Sequence, residues 1–159
     1  MSIVTTIVSA VLSFCIAAYG WGFLNKRANK SAKRSETFSL ISIVTSILDD
    51  FDSMAETQFK EYINDAALVG PIRLSKQRYN AQKQQMHEAK FLTRYGIFRA
   101  RLLHLEGRNV VIPAANLLEL KKAMTLTAIN SSINYQKALI ATQKIHQELY
   151  LAFEREHCD

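Results

Sequence analysis

Residues 91–105 read FLTRYGIFRARLLHL, and Phe91, Tyr95, Phe98, Leu102 and Leu105 recur at spacings of four, three, four and three. That is the a/d rhythm of a helix burying one seam against a partner helix. A strand would alternate with period two, and no stretch of the 159 residues does so. The fold class is therefore all-α. Traced backward, the seam meets Glu88, Gln84, Ala81 and Gln77, where packing should weaken. The helix is expected to run from about Ile72 to Glu106, with Gly107 closing it.

Upstream, Phe38, Ile41, Val44, Leu48, Phe51, Ala55, Phe59, Tyr62 and Ala66 follow at steps of three or four, which predicts an earlier helix ended by Val69-Gly70-Pro71. Downstream, Arg108 to Pro113 reads as a short extended connection, and a third helix is expected over Ala114 to about Glu156. Its middle, Thr125 to Gln136, mixes Leu126, Ile129 and Ile133 with Thr, Ser and Asn. Such a mixture fits a half-exposed helix face, with a polar layer or a kink as the alternative. Short connections make consecutive helices antiparallel neighbours, so three long helices should form an up-down-up bundle over residues 35–159.

Ser2 to Leu24 holds no ionisable side chain. Residues 3–24 would span roughly 33 Å as a helix at ~1.5 Å per residue, which predicts a transmembrane anchor over 1–24 with Tyr19 and Trp21 at the interface. A cleaved signal peptide is disfavoured because no Lys or Arg precedes position 26. Lys26, Arg27, Lys30, Lys33 and Arg34 make 25–34 a basic juxtamembrane segment. By the positive-inside rule the N-terminus lies outside and the helical domain is cytoplasmic. Ser9, Ser13 and Ala17 fall four residues apart, a spacing that would let a second copy of the helix approach and form a homo-oligomer.

The formal net charge of +6 hides two blocks. Residues 36–72 hold seven acids and one base, residues 73–108 nine bases and two acids, and residues 109–159 five of each. Lys76, Lys83, Lys90, Arg94, Arg101 and Arg108 lie within about 40° on one helix face. If helices one and two fold back about Gly70-Pro71, residues whose numbers add up to about 141 lie opposite. Asp49, Asp50, Asp52, Glu56 and Asp65 then face Lys76, Lys83, Lys90 and Arg94 as interhelical charge pairs that set register. The same fold-back returns Arg99, Arg101 and Arg108 toward the segment 26–34, where anionic lipid headgroups are the expected contact. The stripe beside an aromatic seam also fits a phosphate backbone, but nucleic acid is disfavoured because the acidic helix already offers counter-charges.

No chemistry is advertised. The histidines 87, 104, 146 and 157 lack metal-ligand spacing, and no phosphate-binding loop or nucleophile elbow occurs, so no cofactor and no enzyme activity are expected. The two cysteines exclude a disulfide framework, and Cys158 near the end could at most bridge to another chain. The layout of an apolar Met1–Leu24, a helical remainder and Cys158 resembles phage inner-membrane spanins. That resemblance implies a helical domain outside the membrane that acts in lysis, whereas the bases at 26–34 argue for the cytoplasmic side. The expected function is a single-pass membrane protein whose helical bundle binds another protein as scaffold, adaptor or regulator.

Overall fold

The computed structural model describes residues 3–67, 73–126 and 129–157, with side chains at 8, 9, 12–64, 81–126 and 129–157. They form four helices, α1 (Ile3–Ala67), α2 (Arg73–Glu106), α3 (Ala114–Thr125) and α4 (Ser132–His157), and no strand is found among the described residues. The all-α reading holds. The expectation of three long helices is corrected, because the predicted third helix is two. The Gly70-Pro71 turn, the side chains of Asp65 and Lys76, and Cys158 lie outside the described residues.

The chain divides into two compact units, residues 1–37 and 38–159. In the first, the helix from Leu12 onward carries exposed side chains as far as Glu36, Gly20 excepted. Ser13 donates from its hydroxyl to the Ser9 carbonyl at 2.9 Å, and the buried Thr37 donates to the Lys33 carbonyl at 2.8 Å.

The predicted membrane anchor is corrected here. Among the described residues, no helix is long and apolar enough to cross a membrane. The stretch from Leu12 to Leu24 is not uniformly apolar. Ser13, Gly20 and Gly22 dilute it, and Lys26 and Arg27 follow. The single-pass placement, N-terminus outside and helical domain cytoplasmic, falls with it.

In the second unit α1 buries Ile41, Val44, Leu48, Phe51 and Ala55, at steps of three and four along one face. Against them lie Phe91, Phe98, Leu102 and Leu105 of α2, Leu117, Leu120 and Met124 of α3, and Ala138, Ala141, Ile145 and Leu149 of α4. Phe51 sits between Phe91 and Phe98, with ring centroids 4.9 and 5.6 Å away. Toward α4, Phe38 meets Phe153 at 5.8 Å and Phe59 stacks on Tyr135 at 5.0 Å. Residue numbers fall along α4 as they rise along α1, so the two helices are antiparallel. The ion pairs Asp50–Arg94 and Glu61–Lys83 say the same of α1 and α2. Tyr95 joins α2 to α3 by donating its hydroxyl to the Leu117 carbonyl at 3.2 Å.

The helix ends follow from local chemistry. At the close of α2, the Val110 N–H reaches the Leu105 carbonyl at 3.0 Å and the Asn109 N–H the Glu106 carbonyl at 3.0 Å. This is a Schellman cap, with Val110 and Leu105 supplying its buried apolar contact. The left-handed residue is Asn109, at φ 66°, and not Gly107. Asn tolerates that region better than most side chains, and its amide also donates to Glu156 Oε1 at 3.1 Å.

Between α3 and α4 the helix stops because Ser131 caps α4. Its hydroxyl accepts from the Asn134 N–H at 3.2 Å, and its carbonyl from the Tyr135 N–H at 3.0 Å. Ile129, 1% exposed, turns the link inward. The polar stretch read as a half-exposed helix face is thus a break, since Asn130, Ser131 and Ser132 favour capping over helix interior.

Gly96 lies inside α2 with nothing within 4 Å of where a Cβ would stand. Gly96→Ala should therefore stabilise the protein by about 0.5–1 kcal/mol, because alanine costs less backbone entropy in a helix. Denaturant unfolding checks this; a loss of stability would mean that the position is not open helix.

Candidate functional site: a groove between α1 and α2

The acids of α1 divide between two neighbours. Asp50 accepts from Arg94 of α2 through both Nε, at 3.0 Å, and Nη2. Glu61 takes Lys83 at 3.1 Å and His87 at 3.0 Å. Burial pushes the Glu61 carboxyl up, but the hydrogen bonds from His87 and Lys83 outweigh it and hold the group below the usual carboxylate range. In both Asp50–Arg94 and Glu61–Lys83 the residue numbers add up to 144, about one helical step from the expected 141. Glu56 lies with Lys60 of its own helix at 2.5 Å and not with Lys83. A charge swap, Glu61→Lys with Lys83→Glu, should recover most of what either single change loses, a coupling of about 0.2–1 kcal/mol. Strict additivity in unfolding measurements would contradict the pairing.

Asp49 and Asp52, three residues apart, turn instead to α4. His146 Nε2 stands 3.9 Å from Asp49 Oδ1. Thr142, 1% exposed, places Oγ1 at 2.5 Å from Asp52 Oδ1 and at 2.8 Å from the Leu139 carbonyl. Burial pushes Asp52 above the usual carboxylate range and the charge of Asp49 adds to the rise, while Thr142 and His146 act the other way. A hydroxyl has one proton and cannot serve two acceptors fully. Below its raised pKa, a protonated Asp52 relieves the conflict by donating to Thr142, which then donates to Leu139; above it, Thr142 donates to the carboxylate.

On the outer side of the α1–α2 contact runs a groove of about 660 Å³. Asp50, Ser53 and Met54 of α1 form one wall, and Met86, Ala89, Lys90, Thr93, Arg94 and Ile97 of α2 the other. Those α2 positions are one face of the helix, offset by 0, 3, 4, 7, 8 and 11 residues. Met86 is 48% exposed and Ile97 44%, so the floor is apolar and wet. Lys90 makes no ion pair among the described residues. Of the basic stripe read from the sequence, Lys90 and Arg94 line this groove, whereas its apolar floor escaped notice. Met86, Ala89, Thr93 and Ile97 recur at three and four, a second seam on the back of the Phe91–Leu105 seam, and that periodicity was the available signal.

Of the groove's charged members, Asp50 and Arg94 neutralise each other and Lys90 stands beside them. No group of three or more His, Cys, Asp or Glu able to hold a metal ion occurs among the described residues. Arg99 and Arg101 are exposed on α2, and Arg108 is half-buried beyond its end. Lys26, Arg27, Lys30, Lys33 and Arg34 are exposed in the first unit, as are Ser9, Ser13, Ala17 and the free Cys15. His157 packs on Phe153 at 4.8 Å, and its buried Nε2 has no partner among the described residues. No protein-family model matches the chain, no curated protein does, and no solved structure does.

Proposed function

We propose that this chain is a non-enzymatic binding module whose helical bundle, residues 38–159, seats another protein and so acts as a scaffold, adaptor or regulator. The observation that carries this reading is the α1–α2 groove, where Met86 and Ile97 stay solvated between helices whose opposite faces are packed. Apolar surface concentrated in a trough with a polar rim is characteristic of recognition sites. Methionine suits such a surface because its unbranched, polarizable side chain conforms to varied partners.

The test is a photo-crosslinking amino acid placed at position 86 of the full chain in its native cell, with position 143 on exposed α4 as control. The expected result is a covalent adduct to a second polypeptide from position 86 that disappears when Ile97→Asp is added. Ile97 is exposed, so the fold should survive, and circular dichroism verifies it. No adduct from position 86, or one indifferent to Ile97→Asp, would count against the groove as the binding surface.

A further inference from the structure

We infer that the occupant of the groove is the apolar face of an acidic amphipathic helix belonging to another protein; this rests on the docking reading above and names the partner's chemistry. Shape is the first argument. The α2 wall from Met86 to Ile97 is straight and about 16 Å long at ~1.5 Å per residue, three turns of helix. Ala89 and Thr93 are short, so a third helix can lie close in the trough with its own apolar residues at i, i+4, i+7 and i+11 meeting Met54, Met86 and Ile97.

Charge is the second. Asp50 is taken by Arg94, and one heptad further along the antiparallel pair the corresponding positions are Ile43 on α1 and Arg101 on α2. An acid is missing where the repeat would put one. Lys90 in the groove and Arg101, one turn beyond Ile97 on α2, therefore add positive charge with no internal carboxylate opposite them. A partner bearing Glu or Asp beside its apolar stripe supplies the missing charges, and one with Lys or Arg there is repelled. A second copy of this chain fits less well. Its acids Asp50 and Glu61 are engaged with α2, and Asp49 and Asp52 with α4.

The experiment titrates the full-length protein with two synthetic 18-residue helical peptides that share a Leu/Ile stripe and differ only in carrying Glu or Lys beside it. The Glu peptide should bind at least about tenfold more tightly in low salt, and Lys90→Glu with Arg101→Glu should reverse the preference. Equal binding of both peptides, lost in Ile97→Asp, would overturn the acidic partner and leave the docking reading standing. Binding of neither peptide would also overturn the inference, with the docking reading decided separately by the position-86 crosslink. Self-association abolished by Ile97→Asp would overturn it in favour of a second copy, and preferential groove binding of a single-stranded oligonucleotide in favour of nucleic acid.

Discussion

Replacing Phe51 with alanine is expected to cost the helical bundle about 3–5 kcal/mol, the range for removing a fully buried aromatic ring. Phe51 is 0% exposed and its ring touches both Phe91 and Phe98, so no neighbour can close the cavity without moving α1 against α2. The loss is comparable to the whole stability of a marginal domain, roughly 5–15 kcal/mol. The melting temperature should fall by about 10–20 °C. Phe51→Leu, which keeps most of the volume, should lose clearly less. The groove depends on this contact, because Asp50, Ser53 and Met54 are its α1 wall and flank Phe51 in the chain. Phe51→Ala should therefore also abolish peptide binding near its melting point. A loss below about 1 kcal/mol would show that the aromatic cluster does not hold α1 to α2.

Thr142→Val is expected to cost about 1–3 kcal/mol at neutral pH, because it leaves the half-buried Asp52 carboxylate without its hydrogen-bonding partner. The pH dependence follows from the raised pKa of Asp52. Between the ordinary aspartate value, about 3.9, and the raised one, the native state holds a proton that the unfolded state has released. Stability contributed by protonated Asp52 is full below the lower value and is lost as pH rises through the higher one. Asp52→Asn retains a donor toward Thr142 and cannot ionise, so it should flatten that descent. Urea unfolding at a series of pH values measures both effects. A stability that rises across the window, or an Asp52→Asn profile that descends as the wild type does, would mean that Asp52 stays ionised in the bundle.

The seams were legible because heptad spacing reports burial directly. Phe91, Phe98, Leu102 and Leu105, and likewise Ile41 to Ala55, lie in the core at the positions their periodicity assigns. Finer geometry was less so. The register of α1 on α2 depends on how the connection about Gly70-Pro71 is made, which spacing alone does not determine. The acids of α1 were read as one block facing one basic helix, yet Asp49 and Asp50 stand about 100° apart and cannot face the same neighbour. That angle was available in the sequence and assigns Asp49 and Asp52 to a different helix from Asp50 and Glu61. The break before α4 was written in Asn130-Ser131-Ser132 ahead of an apolar-periodic run, a capping signature hidden by the length of the surrounding helical pattern. The left-handed cap at Asn109 was masked by the nearby Gly107, the more familiar helix terminator.

Amide hydrogen exchange of the full-length protein, with and without the Glu-bearing helical peptide, tests the groove most directly. Slowed exchange concentrated at residues 50–54 and 86–97, absent in Ile97→Asp, is the predicted result. Protection confined to the exposed α4 face around Ile133 and Ile140, or none at a saturating peptide concentration, would contradict the assignment of the α1–α2 groove as the surface this protein uses.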